Sequence, residues 1–346
     1  MDMLDIKEKI LHFMQPAGTS RGIYTTRRSW YVTITDPADP RHIGIGECAP
    51  LPDLSCDAIP DYADVLRGFC AEVERTGLLP YDRLADYPSM LFGLETATLH
   101  YIRRSYSLFD TPFSRGEQSI PINGLVWMGR YDEMLHRMEE KLQKGFRCIK
   151  IKIGAIDFDR ELDLIRTLRS HFGKDRIELR VDANGAFSPD DVFRKLDVLA
   201  RCDIHSIEQP IRAGQWKEMA EVCAQSPIPV ALDEELIGIN SPDGKEALLD
   251  VIKPSYVVLK PSLHGGMCGT RQWVDLARER GTRSWITSAL ESNIGLNAIA
   301  QLTADIYGPD IILPQGLGTG ALFTDNITLP YNLCIEGGRM IISEVL

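Results

Sequence analysis

Six charged residues fall at the ends of short apolar runs, and their order along the chain suggests a chemistry. Lys150 and Lys152 stand in the stretch Arg147-Cys148-Ile149-Lys150-Ile151-Lys152-Ile153-Gly154; Asp182, Glu208, Asp233 and Lys260 follow. Side chains alternate faces along a strand, so Ile149, Ile151 and Ile153 share one face while the lysines share the other. Taken singly, each residue has an ordinary reading. An isolated I-K-I-K-I is an amphipathic strand with its lysines in water. Asp182-Ala183-Asn184-Gly185 can be a turn, Glu208-Gln209-Pro210 a strand end, Asp233-Glu234-Glu235 a helix start, and Lys260-Pro261 a surface loop. Three successive strands each ending in a carboxylate, flanked by strands ending in lysine, are harder to explain as coincidence. Three carboxylates brought to one partly buried point cannot all stay ionised without a cation. Hard oxygen ligands on rigid strands favour Mg²⁺, with Mn²⁺ a possible substitute. Such a site suits a small-molecule carboxylate substrate that loses the proton next to its carboxyl group. A lysine beside a second lysine and a divalent cation has its charged form disfavoured, which fits it to act as the base.

The elements that must position these residues follow two patterns. Residues 6–14, 29–35 and 42–48 read as strands and 15–22 as a flexible loop, with helical patterns at 59–74 and 89–105. Strands followed by helices, without alternation, predict an α+β domain over residues 1–115. From residue 119 strands and helices alternate. Strands are predicted at 119–126, 147–153, 177–181, 204–207, 229–232, 256–259, 283–287 and 311–313. Helices are predicted at 131–144, 157–171, 188–200, 215–224, to about 249, 270–280 and 293–303. This is the spacing of a (β/α)₈ barrel over residues 116–315, whose catalytic groups sit at the C-terminal ends of its strands. By that rule strand two carries Lys150 and Lys152, strand three Arg180 and Asp182, strand four Glu208, strand five Asp233 and strand six Lys260. Strand seven ends in Ser288 and Glu291. Lys152 and Lys260 then face each other across the barrel. Residues 316–346 are expected to return to the first domain.

Composition narrows the rest. The chain has 346 residues and a net charge of −11, with no Lys/Arg-rich block, which argues against nucleic-acid or anionic-membrane binding. No apolar run is long enough to span a bilayer, and the first eight residues are charged rather than signal-like. Eight scattered cysteines form no C-x-x-C pair, so a cytoplasmic enzyme with reduced thiols is expected. The seven histidines form no i, i+4 pair and are read as structural. Oligomeric state is not readable from the sequence.

Lys150-Ile151-Lys152, the Asp182/Glu208/Asp233 set and Lys260 together resemble the enolase superfamily, in its muconate-lactonising-enzyme-like subgroup, over essentially the whole chain. The resemblance implies a modified TIM (β/α)₈ barrel with an N-terminal α+β capping domain completed by the C-terminal tail. Further text is similar to the o-succinylbenzoate synthases of menaquinone biosynthesis. It comprises Pro121-Ile122-Asn123-Gly124-Leu125, Ser288-Ala289-Leu290-Glu291-Ser292-Asn293-Ile294-Gly295-Leu296, and Gln315-Gly316-Leu317-Gly318-Thr319-Gly320-Ala321-Leu322-Phe323. That likeness implies a carbon–oxygen lyase performing a Mg²⁺-dependent syn-dehydration of a succinyl-hydroxycyclohexadiene-carboxylate. Lys152, paired with Lys150, takes the α-proton and returns it to the departing hydroxyl, while Lys260 stabilises the enediolate by its charge. The likeness also implies Arg180, Asn184, Ser288, Glu291, Gly318 and Thr319 as substrate contacts, and loops at 19–21 and 50–53 that close over the barrel mouth and shape specificity.

Two other readings share parts of this pattern. N-succinylamino acid racemases and dipeptide epimerases of the same superfamily use both lysines as a two-base pair. The epimerases carry an acidic Asp-x-Asp after strand eight, where this chain has Leu313-Pro314-Gln315-Gly316-Leu317-Gly318-Thr319. A non-catalytic binding barrel predicts a missing lysine or ligand, and none is missing.

Overall fold

The first two strands form one long antiparallel hairpin, β1 (Met3–Thr19) and β2 (Gly22–Asp36), with β3 (Asp39–Cys48) as the third strand of the sheet. The structure, a computed structural model, describes residues 3–19, 22–126, 130–154, 157–319 and 322–344. The loop expected at 15–22 is therefore mostly strand: Ala17, Gly18 and Thr19 pair with Tyr24, Ile23 and Gly22 after a register shift beyond His12. Antiparallel pairing satisfies their backbone groups where composition alone suggested a turn. Three helices complete the cap: α1 (Tyr62–Thr76), α2 (Tyr81–Leu84) and α3 (Pro88–Arg103). Helix α3 lies directly on β3 because Gly44, Gly46 and Gly93 let the two backbones approach; a Cβ at any of them meets the other element.

The barrel begins with β4 (Ile120–Pro121) and β5 (Gly124–Val126), followed by α4 (Tyr131–Gln143), β6 (Cys148–Lys152), α5 (Phe158–His171) and β7 (Glu178–Asp182). Then come α6 (Val192–Ala200), β8 (Ser206–Glu208), α7 (Trp216–Gln225) and β9 (Val230–Leu232). The series ends with α8 (Pro242–Ile252), β10 (Tyr256–Leu259), α9 (Gly266–Glu279), β11 (Arg283–Ile286) and α10 (Asn293–Tyr307). Strands β5 to β11 form a continuous parallel sheet in sequence order. Ile149, Ile151, Leu179, Val181, Ile207, Leu232, Val257 and Leu259 belong to one buried cluster that the helices complete. Burial of this isoleucine-, valine- and leucine-rich face is the dominant stabilising term, at about 25 cal/mol per Å².

The eighth strand differs from expectation. Residues 311–313 do not pair; closure comes instead from bridges of Ile122 with Gln315 and of Thr287 with Gly316. The Gln315 side chain stands in for a ladder, accepting from Ile286 N at 2.7 Å and donating to Leu313 O at 2.7 Å. Gly316 must be glycine because a Cβ there would collide with Thr287. The helix predicted from Ser188 starts a turn later, at Val192, since 188–191 form a turn. The tail divides. Met14 N donates to Leu322 O and Thr324 N to His12 O, tying the tail to the cap. The terminal hairpin β12 (Tyr331–Glu336) and β13 (Arg339–Glu344) instead pairs with β4 at the start of the barrel.

Cap and barrel are joined by buried charge. Glu47, at the end of β3, accepts from Ser29 Oγ (2.8 Å), Ser292 N (3.0 Å), Ser292 Oγ (2.6 Å) and Gly295 N (3.0 Å). Glu95 of α3 accepts from Met267 N (2.5 Å) and Cys268 N (3.0 Å). Each carboxylate thus sits at the positive end of a barrel helix, where unpaired amides favour an anion. Arg27 of β2 donates to the carbonyls of Ala49 and Pro50 at 2.5 Å and, more weakly, to Ala289 and Leu290 at 3.4 Å. Glu47→Ala, which strands several buried donors, is expected to cost on the order of 3 kcal/mol in urea unfolding. Glu47→Gln, which keeps an acceptor, should cost less. An unchanged midpoint in the alanine variant would take Glu47 out of this joint.

Candidate active site

Parallel pairing in register sets the site. Lys152 pairs with Asp182 and Asp182 with Glu208, so a lysine and two carboxylates share one level of the barrel. Asp233 lies just beyond the end of β9, where its N–H donates to Gln209 Oε1 at 3.2 Å. Gln209 also reaches Glu235 (Nε2 to Oε2, 3.0 Å), so the residue after Glu208 fixes the turn that presents Asp233. Lys260 follows β10, four strands from β6 and hence opposite it in an eight-stranded barrel. Its N–H donates to His264 Nδ1 at 2.9 Å, which closes the turn after it.

These groups line one chamber at the C-terminal ends of the strands. Lys150 Nζ contacts both oxygens of Glu208 at 2.8 Å and Asp182 Oδ2 at 3.1 Å. Lys152 Nζ lies 2.8 Å from Asn184 Oδ1 and 3.3 Å from Asp182 Oδ2. Lys260 Nζ is hydrogen-bonded to Asp233 Oδ2. Burial pushes the Asp182 carboxyl up, but Lys150, Lys152 and Lys260 outweigh it and hold it well below the usual range. Burial and then Asp182 push Glu208 up to about 8, and burial and then Asp233 push Glu234 up to about 7. Burial lowers Lys150, yet Asp182, Glu208 and Asp233 leave it above its ordinary value. Lys260 is raised in the same way by Asp233 and Glu234. At these two positions the neighbouring carboxylates outweigh burial.

Among the described residues no three acidic, histidine or cysteine side chains are gathered as a metal cage, since the three strand-end carboxylates are each turned to a lysine. The donor set nevertheless fits a hard divalent cation. Asp182, Glu208 and Asp233 stand at the ends of adjacent strands, Asp233 Oδ1 and Glu234 Oε2 are buried without a hydrogen-bond partner, and Glu208 is pushed toward protonation by burial and then by Asp182.

The chamber also takes in Asn184, Ser288, Gly318 and Thr319. Ser288 Oγ and Thr319 Oγ1 are 2.7 Å apart. Arg180 and Glu291 are not at the chamber wall. Two residues nearer the start of β7 than Asp182, Arg180 turns down the barrel, donating to Glu178 Oε1 (2.7 Å) and Pro314 O (2.9 Å) with its guanidinium 4.3 Å from the Trp285 ring. Glu291 accepts from Ser262 Oγ and Ala289 N at 2.6 Å and so shapes the loop behind Ser288. Leu51, within the cap loop at 50–53, and Leu54 just after it line the chamber. Ser20 and Arg21 of the other cap loop, and Gly320 and Ala321, lie outside the described residues. Glu234 was missed as a chamber residue. Its adjacency to Asp233 was the available signal, masked by the ordinary appearance of an Asp-Glu-Glu helix start. All eight cysteines are free, and no helix among the described residues is long and apolar enough to cross a membrane.

Residues 133–341 match the family described as enolase C-terminal domain-like. The chain is 44% identical to o-succinylbenzoate synthase of Desulfotalea psychrophila, over 98% of this chain and 99% of that protein. The crystal structure of MenC from the same organism superposes with a TM-score of 0.81 at 40% identity, covering 98% of this chain and 99% of that one. Muconate lactonizing enzyme from Pseudomonas fluorescens shares the fold alone, with a TM-score of 0.79 at 20% identity over 99% and 94% of the two chains. With a seven-stranded parallel ladder closed by an eighth segment, an antiparallel cap, and lysines and carboxylates at the strand ends, the chain belongs to the enolase superfamily.

Proposed function

We infer that this protein performs the o-succinylbenzoate synthase reaction, the dehydration of 2-succinyl-6-hydroxy-2,4-cyclohexadiene-1-carboxylate to o-succinylbenzoate in menaquinone biosynthesis. The observation that carries this reading is the 44% identity to an o-succinylbenzoate synthase over 98% of this chain, joined to a chamber lined by Lys150, Lys152, Asp182, Glu208, Asp233 and Lys260. Asp182, Glu208 and Asp233 are the residues that would hold Mg²⁺. That ion, when bound, supplies the positive charge that makes the carbon next to the substrate carboxylate more acidic.

The chain's own groups do the rest. Lys152 takes the proton from that carbon; the C–O bond to the hydroxyl then breaks, and Lys152 returns the proton so that water leaves. A single base serving both transfers requires them to occur on one face of the ring, which is a syn elimination. Lys260, opposite and just after β10, places its charge against the other face. Lys150, held by Glu208 and Asp182, keeps the acidic wall partly neutralised. The hydroxyls of Ser288 and Thr319 and the open backbone at Gly316 and Gly318 suit the succinyl carboxylate. Leu51, Leu54, Leu290 and Leu322 give the chamber an apolar side, which suits a ring rather than a dipeptide ammonium group.

A ¹H NMR assay in D₂O with Mg²⁺ tests the substrate. Aromatisation of the cyclohexadiene-carboxylate should be fast and α-deuteration of N-succinyl amino acids slow. The reverse pattern would keep the lysines and overturn the substrate. Lys152→Ala should lower kcat by about 10³-fold or more with the fold retained by circular dichroism; normal turnover would remove it as the base. Exhaustive EDTA should abolish activity, and Asp182→Asn, Glu208→Gln and Asp233→Asn should each raise the Mg²⁺ concentration needed to restore it.

A further inference from the structure

Lys152 has two acceptors within reach, and they differ in kind. Asn184 Oδ1 is at 2.8 Å and Asp182 Oδ2 at 3.3 Å. A neutral primary amine has two N–H bonds and one lone pair. One N–H directed to Asn184 Oδ1, with Asp182 beside it, limits the directions left to the lone pair. Which way the lysine points therefore depends on which way the Asn184 amide points.

That amide is held in one orientation. Asn184 Nδ2 donates to Glu234 Oε1 at 2.9 Å, while Oδ1 accepts from Lys152. Flipping the amide would set its oxygen against the Glu234 oxygen and, while Lys152 is protonated, its N–H₂ against the ammonium. Its backbone is pinned as well. Asn184 adopts a left-handed conformation (φ 44°) that asparagine tolerates better than most residues, with its N–H on Asp182 Oδ1 at 3.1 Å. Gly185 N is bonded to Gln209 O at 2.7 Å on the neighbouring strand. Both ends of the link line the chamber, Asn184 half-buried just past β7 and Glu234 buried after β9.

We propose that Asn184, oriented by Glu234, is a positioning residue for Lys152, aiming the base at the substrate rather than binding the substrate itself. The proposal rests on Lys152 being the base.

The variant of choice is Asn184→Gly, which keeps the left-handed turn unstrained and removes only the amide. With the cyclohexadiene-carboxylate, kcat should fall about 10- to 100-fold while KM stays within about threefold. The primary deuterium isotope effect on kcat, read with substrate deuterated at the carbon that loses its proton, should rise because that step has become slower. Mg²⁺ affinity by calorimetry should stay within about threefold of wild type. The charge-conserving pair Asn184→Asp with Glu234→Gln restores an acceptor for Lys152 and a donor behind it, and should recover at least tenfold in kcat over Asn184→Gly. A large rise in KM with an unchanged isotope effect would overturn the proposal and make Asn184 a substrate contact. So would a paired variant that folds and binds Mg²⁺ yet is no faster than Asn184→Gly. A wild-type enzyme that fails to aromatise the substrate overturns the underlying reading instead, and shows it before any variant is made.

Discussion

Opposite charges buried at the strand ends are the constraint on which the rest of the site depends. Asp182, Glu208, Asp233 and Glu234 face Lys150, Lys152 and Lys260 around one chamber, so four acidic groups meet three basic ones, with the acids buried. Burying such groups unpaired costs several kcal/mol each, and the cost is met only where geometry lets each find a partner. The parallel ladder supplies that geometry. Register places Lys152, Asp182 and Glu208 side by side, and the isoleucine and valine faces behind them lock the register by their burial. Burial, and then the neighbouring carboxylates, push Glu208 and Glu234 up, while Lys150, Lys152 and Lys260 hold Asp182 down; the excess of acidic groups suits the site to a cation.

The same logic operates where cap meets barrel. Glu47 and Glu95 insert into the starts of α10 and α9, the two helices that follow barrel strands seven and six. These are the strands that end in Ser288 and Lys260, so the joint that fastens the cap also fixes the wall facing Lys152. Arg27 extends the joint to the loop carrying Leu51 and Leu54 at the chamber mouth. Specificity and stability therefore share a few buried hydrogen bonds, and the cap is continuous with the site rather than laid over it.

Glycine and left-handed residues mark where backbone geometry serves the chemistry. Gly316 lets the eighth segment lie against Thr287, which brings Gly318 and Thr319 to the chamber. Asn184 (φ 44°) and Gln209 (φ 40°) each sit just past a strand-end carboxylate; Gln209 uses its amide to hold the turn after the next strand, and Asn184 reaches Glu234 two strands on. Both positions demand a short polar reach from a strained backbone, which amide side chains satisfy.

Much of this was legible from the residues. The alternation of apolar runs and helical stripes after residue 119 is a local property, so the barrel could be read from its period. The lysines and three carboxylates could be read because strand ends in a barrel converge by geometry, whatever the loops do. What the sequence could not carry was long-range pairing. Residues 15–19 look like loop and become strand only because β2 lies beside them; 311–313 look like strand and are left unpaired because Gln315 takes the ladder. Arg180 and Asp182 lie on the same face of β7, two residues apart, and only packing against Trp285 and Pro314 turns the first away from the chamber. Glu234 and Glu291 are acids among acids in the text, and it is the tertiary structure that puts one in the chamber and the other behind it. Periodicity and strand-end position are written locally, whereas side-chain direction and burial are decided by neighbours distant in the chain.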